Sequence, residues 1–207
     1  MVHSVIAEIL ENNNWRDGEF AKMKANSSAV DEIFWCRMCI PLIYAHWEGF
    51  VVDSLKELLK YLNLLKLPAT TVPVHLVVLC LGDSYKSLSG KQSFEQRIEF
   101  TNKFNLLLTN TIKFKTKIET KSNLKSDVMR DLCNMFHFDF SKFEDGMPDI
   151  DRLVNVRNSI AHGENSVAPD MQNIFKYINS TKYAMDLLMS EIEEFLSGNK
   201  YLISGDC

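Results

Sequence analysis

The chain lacks a membrane-spanning run, an excess of basic residues and a regular cysteine pattern. An apolar run at residues 72–81 is shorter than the roughly 20 residues that a membrane-spanning helix needs, so a buried helix is expected there and no membrane partner. Basic residues are not in excess, because the chain has 23 Lys and Arg and 27 Asp and Glu, which gives a formal net charge of −4. This balance excludes a generally basic nucleic-acid-binding protein, so any nucleic-acid contact has to be local.

The five cysteines, at positions 36, 39, 80, 133 and 207, have no regular spacing that would indicate a disulfide framework. Cys36 and Cys39 have the spacing of half a zinc site, but no second pair of cysteines or histidines follows at the required distance. Two buried small side chains are the favoured interpretation, and neither a metal nor a cofactor is predicted. No secretory segment is recognised at the start of the chain, so a cytoplasmic protein with free thiols is expected.

The length of 207 residues and the 46% apolar content are enough for one sizeable core, so a single domain over residues 1–207 is expected. Apolar spacing predicts a mostly helical chain with a long helix that bends at Pro41 and a second long helix that starts at Asp170. A loop is predicted at residues 82–90. The predicted helices cover residues 5–23, 33–65, 74–81, 93–108, 125–136, 150–162 and 170–195. The first of them is expected to be interrupted near residues 12–14.

A two-residue period interrupts the helical pattern between residues 112 and 118. Apolar or small residues alternate there with Lys113, Lys115 and Lys117, which predicts a short strand or extended arm with one apolar and one basic side. Because a lone strand has unpaired edges, it is expected to pack on a helix or to pair with a partner copy. The three lysines are candidate contacts for a phosphate backbone, or a charged strip that only aids solubility. The expected fold is an all-α bundle with one small β element.

The most specific pattern runs from Arg157 to Gly163, at the end of a predicted helix. Gly163 is the residue type that commonly stops a helix. At about 100° per residue, Asn158 and His162 lie one above the other, away from the apolar face. Arg157 lies on the flank, next to the small Ala161, from where its guanidinium can turn toward His162.

These residue types suit the handling of a phosphate group. Arginine stays charged and offers a planar fork of donors that matches phosphate oxygens and can offset charge that develops during cleavage. A histidine titrates near neutrality, and the partial negative charge of a helix C-terminus favours its protonated form. The alternative is that Arg157 and His162 are solvated residues that contact the terminal carbonyls, and the spacing alone leaves both interpretations open.

The motif, with Ile-Ala before the histidine and glycine after it, resembles the signature of the HEPN superfamily, named for higher eukaryotes and prokaryotes nucleotide-binding. Residues 42–50, with a tyrosine, an aromatic and the run Glu48-Gly49-Phe50, are similar to a helix of prokaryotic MAE-type HEPN-like nucleases. Asn123-Leu124, before a predicted helix, is similar to the same group. The resemblance covers most of the chain.

The resemblance implies a HEPN-like bundle that forms a homodimer through the motif helices and acts as a metal-independent endoribonuclease. By position, Arg157 would hold the scissile phosphate, Asn158 would stand beside it, and His162 would transfer protons. The neighbouring ribose hydroxyl would attack phosphorus and leave a cyclic phosphate and a free 5′-hydroxyl, which limits the substrate to RNA. Glu48, mid-helix in an apolar stretch, would be a supporting residue paired with Arg157. Glu164 stands where antitoxin-modified members have tyrosine, so that regulation is not supported.

Three functions remain open after this comparison. The first is an endoribonuclease that serves as a toxin or antiviral-defence effector, with an antitoxin or defence-system partner protein. The second is a module that binds RNA or nucleotides without turnover, and the third is a dimerisation domain of a defence or toxin–antitoxin assembly. The presence of Arg157, Asn158 and His162 together favours the nuclease.

Overall fold

The computed structural model describes residues 3–28, 30–82 and 91–203, and the chain forms an α-helical bundle there. Short 3₁₀ helices at Ala69–Thr71 and Phe140–Phe143 lie between the α-helices, and the predicted all-α class is confirmed. Residues 83–90 of the predicted loop and Cys207 lie outside the described residues. The α-helices are α1 (Ser4–Asn13), α2 (Trp15–Ala25), α3 (Glu32–Leu64), α4 (Val74–Leu81), α5 (Phe94–Thr109), α6 (Ser126–Phe136), α7 (Met147–Ala161) and α8 (Met171–Ser197).

The long helices α3 and α8 pack against each other at the centre of the bundle, and α1, α2 and α7 pack on α3. The side chain of Asp31 starts α3 by accepting a hydrogen bond from the backbone N–H of Phe34 at 2.9 Å. Asp170 starts α8 in the same way, through the N–H of Asn173 at 2.8 Å. The predicted long pair is therefore present. The helix α3 runs through Pro41, and a bend there stays a prediction.

The inner faces of the helices form one core. Cys36, Cys39 and Cys133 are buried, as expected for small apolar side chains. Helical spacing in the sequence also predicts that one face of the last helix is apolar and faces inward, and all six of its members are buried: Ile174, Tyr177, Ile178, Met185, Leu188 and Ile192. Helical periodicity therefore identified the side of α8 that α3 covers.

The segment 112–118 does not form the predicted β element. Ile112 and Phe114 are buried, whereas Lys113, Lys115 and Lys117 are exposed, so the two-sided pattern is real. The side chain of Asn63 on α3 accepts from the backbone N–H of Phe114 at 2.7 Å and donates to its carbonyl at 3.0 Å. One amide thus supplies the bonds of a partner strand, and in the described ranges the β pairing is limited to an isolated bridge between Pro68 and Thr111.

Two helices are more exposed than their sequences predict. Helix α4 was expected to be buried, but Val74 and Val78 on it are exposed. On α5, Phe94 and Ile98 are exposed, and none of its residues is buried. Periodicity defines an apolar face and does not say which element covers it. In the described part of the chain, no helix is both long and apolar enough to cross a bilayer.

A cluster of polar and charged side chains around the buried Arg16 joins α2 to α3. The Arg16 side chain is 8% exposed and donates from Nε to the side-chain oxygen of Asn13 at 2.7 Å. Its Nη atoms lie 3.3 Å from His46 Nδ1 and 3.3 Å from the Asp53 carboxylate. Burial first, and then the charge of Arg16, lower the pKa of His46, so its neutral ring can accept the hydrogen bond. A Cβ at Gly49 would lie 3.1 Å from Arg16 Nη2, so any larger residue there requires the guanidinium to shift by a few tenths of an ångström.

Candidate active site

Helix α7 carries the motif and ends at Ala161, with His162 as its C-cap, one residue before the end that the sequence predicts. Gly163 follows with φ +78°, a backbone conformation in which any residue with a side chain would be strained. Its N–H donates to the carbonyl of Ile160 at 3.0 Å, and the N–H of Glu164 donates to the carbonyl of Ser159 at 3.0 Å. This pair of bonds is the Schellman ending of a helix, so Gly163 is explained by the helix end itself.

The guanidinium of Arg157 lies against helix α3. Its Cζ is 3.8 Å from the centroid of the Tyr44 ring, and its Nη2 donates to the backbone carbonyl of Ser122 at 2.6 Å. Its Nε is buried without a hydrogen-bond acceptor. The sequence suggested that Arg157 turns toward His162, and the structure corrects this because the aromatic ring and the carbonyl hold the guanidinium on the α3 side.

Asn158 and His162 differ in their surroundings. Asn158 is half-buried, and its side-chain N–H donates to the side-chain oxygen of Asn123 at 3.2 Å. His162 is exposed, and no other described residue forms a hydrogen bond or an ion pair with its imidazole. The motif therefore offers one imidazole open to solvent and one amide tied to a neighbouring segment.

That segment turns sharply between Thr120 and Asn123. Lys121 and Ser122 both have left-handed backbones, with φ of +56° and +49°, and the N–H of Asn123 donates to the carbonyl of Thr120 at 3.1 Å. Such a conformation costs about 1–3 kcal/mol for each non-glycine residue and persists where the surroundings hold it. We call residues 120–126 the clamped turn, because side chains from two helices bind it.

Helix α3 binds one side of the clamped turn. The Tyr44 hydroxyl accepts from the N–H of Leu124 at 3.1 Å, and the Trp47 indole N–H donates to the carbonyl of Leu124 at 3.1 Å. The Thr120 hydroxyl donates to the carboxylate of Glu48. Three side chains within two helical turns therefore fix both ends of the sharp turn.

Helix α7 binds the other side. In addition to Arg157 and Asn158, Asp151 accepts from the backbone N–H of Ser126 at 2.7 Å and from its hydroxyl at 2.6 Å. Ser126 is the first residue of α6, so Asp151 satisfies a backbone donor that has no partner inside that helix. The motif helix, the clamped turn and α6 are thus one connected unit.

The expected direct pairing of Glu48 with Arg157 is wrong in this arrangement. Within the described residues, no ion pair joins them within 4.0 Å, because Tyr44 lies between and contacts both. Burial first, and then a hydrogen bond with Glu48, raise the pKa of Tyr44 to about 12. Glu48 is half-buried and has polar partners in Tyr44 and Thr120, which offset its desolvation without an arginine.

Sequence reasoning did not assign roles to Tyr44, Ser122 or Asp151. Tyr44 precedes Glu48 by four residues, so the two share one face of α3, and this spacing was the available signal. Ser122 acts through its backbone carbonyl, for which the residue type carries no signal. The candidate RNA contacts Lys113, Lys115 and Lys117 are exposed, and Lys117 pairs with Glu119 at 2.6 Å.

A family model described as RiboL-PSP-HEPN matches residues 11–194, which include α3, the clamped turn and the whole motif helix. The chain belongs to the RiboL-PSP-HEPN family. Superfamily membership, expected from the motif, is therefore confirmed, while the likeness to MAE-type members stays a prediction. No curated protein and no solved structure matches the chain.

Proposed function

We propose that this HEPN protein is a metal-independent endoribonuclease whose acting residues are Arg157, Asn158 and His162. In the reaction, the ribose 2′-oxygen forms a bond to phosphorus while the bond from phosphorus to the 5′-oxygen breaks. A base takes the proton of the 2′-hydroxyl and an acid gives a proton to the leaving 5′-oxygen. The products are a 2′,3′-cyclic phosphate and a 5′-hydroxyl, with no oxidant or other co-reactant.

The observation that carries this proposal is the pairing of a fixed guanidinium with an open imidazole on one helix. Arg157 is held by Tyr44 and Ser122, and Ser122 takes only one of its donors, which leaves others for phosphate oxygens. His162 follows five residues later, about 7.5 Å along the helix axis, and is exposed. A cation that binds the phosphodiester and a group that moves protons therefore stand at one end of α7.

A homodimer is part of the proposal. One chain offers a single motif imidazole, whereas the reaction needs one group to take a proton and another to give one. A second copy that brings its own motif helix to the same phosphate supplies the second imidazole. We further propose that the protein serves as a toxin or defence effector under the control of an antitoxin or defence-system partner protein, in line with its family.

The test is cleavage of an end-labelled RNA by the purified protein with excess EDTA present. His162→Asn is compared with His137→Asn, because His137 is also an exposed histidine at a helix C-terminus, and asparagine tolerates its left-handed backbone. We expect a 100- to 10,000-fold loss, roughly, for His162→Asn alone. Products carry cyclic phosphates, and the matching 2′-deoxy substrate is not cut. A loss below tenfold, or cleavage that EDTA abolishes, contradicts the proposal.

A second candidate, RNA or nucleotide binding without turnover, is favoured by one observation. Arg157 and Asn158 both hold the clamped turn, which is a structural task that needs no reaction. This candidate predicts that the wild-type protein binds RNA and forms no product, and that His162→Asn leaves binding unchanged. The same cleavage assay, run beside a filter-binding assay, separates the two functions.

A further inference from the structure

We infer that Tyr44 is the residue that positions the Arg157 guanidinium for phosphate binding, through its ring face, while its hydroxyl fixes the clamped turn. This inference rests on the proposed function, because it assigns Arg157 the phosphate. Tyr44 lies on α3 and Arg157 on α7, so the two meet only when the bundle has formed.

The contact between the two side chains is close and enclosed. The Cζ of Arg157 lies 3.8 Å from the ring centroid, well inside the limit of about 6 Å for a cation over an aromatic face. The tyrosine is only 5% exposed, so its ring is packed on nearly all sides. The Nε of Arg157, which is bonded to this Cζ, is buried and has no hydrogen-bond acceptor.

A second restraint acts on the Nη2 atom of the same guanidinium. The Nη2 donates to the carbonyl of Ser122 at 2.6 Å, and the hydroxyl of Tyr44 accepts from the N–H of Leu124 two residues later. The tyrosine therefore orients the plane of the guanidinium directly and also holds the turn that supplies the carbonyl. Two contacts of this kind leave the arginine little freedom to rotate.

The choice of an aromatic residue has an electrostatic consequence. A carboxylate in contact with Arg157 would neutralise the charge that a phosphate has to meet. Burial keeps Tyr44 in its uncharged form, with a pKa of about 12, so the ring attracts the cation without cancelling it. Glu48 is kept one side chain away and acts on the hydroxyl of Tyr44 instead. The arginine is thereby held in place with no carboxylate of the described residues paired to it.

The first experiment compares Tyr44→Phe with Tyr44→Leu in the RNA cleavage assay. Phenylalanine keeps the ring and loses only the hydroxyl, while Trp47 and Glu48 still bind the turn, so we expect kcat within about threefold of wild type. Leucine also removes the ring and lowers kcat about tenfold or more with little change in KM. Tyr44→Leu is then made in the Arg157→Ala background, where it has no further effect if Tyr44 acts through the arginine. Equal losses in both single variants, or a full additional loss in the double variant, overturn the inference.

The second experiment does not depend on catalysis. In a ¹⁵N-labelled protein, the Nε–H signal of Arg157 is expected to be shifted upfield by the ring and to exchange slowly with water. It should keep both properties in Tyr44→Phe and lose both in Tyr44→Leu. A wild-type signal at the position of free arginine overturns the positioning role. If this signal behaves as expected but the protein cuts no RNA, the proposed function fails while the contact stands.

Discussion

Replacing Gly49 by alanine tests the packing of the cluster around Arg16 between α2 and α3. The added Cβ would lie 3.1 Å from Arg16 Nη2 and 3.4 Å from Nη1, so the guanidinium has to retreat by a few tenths of an ångström. It has little room to do so, because it is 8% exposed and bonded to Asn13 at 2.7 Å. Its contacts with His46 and Asp53 are already 3.3 Å long, and a retreat breaks at least one of them.

The magnitude follows from two opposing effects. Alanine is favoured over glycine inside a helix by about 1 kcal/mol. A buried charged donor that loses its partner costs roughly 2–3 kcal/mol. We therefore expect Gly49→Ala to lower the free energy of unfolding by about 1–2 kcal/mol, or the Tm by some 2–8 °C for a chain of this size.

Urea unfolding followed by circular dichroism measures this difference, with Gly18→Ala as the matched control. Gly18 is also helical, but nothing lies within 4 Å of the position of its Cβ, so alanine there should stabilise the protein. In an Arg16→Leu background, the penalty at Gly49 should shrink or vanish. A Gly49→Ala protein as stable as the Gly18→Ala protein would refute the reasoning, since it would mean that Arg16 can relax freely.

Three further outcomes are expected. Arg37→Ala removes hydrogen bonds of 2.7 and 2.8 Å to the backbone carbonyls of Val167 and Glu164. Amide hydrogen exchange in residues 163–169 should therefore rise about tenfold, and an unchanged exchange rate contradicts this expectation. Burial and then the charge of His137 lower the pKa of His75 below its ordinary 6.5. As the pH drops, the His75 imidazole is protonated in the unfolded chain before it is protonated in the folded protein, so the free energy of unfolding falls below about pH 6.5. Urea titrations at pH 7.5 and 5.5 should show that His75→Phe reduces this dependence on pH. Burial raises the pKa of Cys133 to about 12, so its thiol should resist alkylation at pH 8 until the protein unfolds, as mass spectrometry can show.

The local features of the fold could be predicted from the sequence because the forces that create them act over a few residues. Apolar spacing predicted α8 and its buried face, and Asp170 predicted its start. Gly163 predicted the end of the motif helix, since a left-handed residue is needed there. The motif itself was sufficient to indicate the HEPN superfamily.

The errors have a common physical cause. A repeat of apolar residues shows that a face can be buried, but whether another element covers it depends on the whole bundle, as the exposed Phe94 and Ile98 of α5 show. In the alternating segment 112–118, the side-chain amide of Asn63 forms the hydrogen bonds to the backbone of Phe114 that a neighbouring strand would otherwise form. A single side chain on a distant helix leaves no trace in the pattern of the segment that it binds.

At the candidate site, the sequence alone determined which residues share the motif helix: Arg157, Asn158 and His162. The tertiary structure alone decided what each of them contacts. Arg157 meets the ring of Tyr44 and a carbonyl of the clamped turn, while His162 stays open to solvent, because α3 packs against one flank of α7 and leaves its C-terminal end uncovered. Helical periodicity is a property of neighbouring residues, whereas the orientation of the guanidinium is set by groups that only folding brings together.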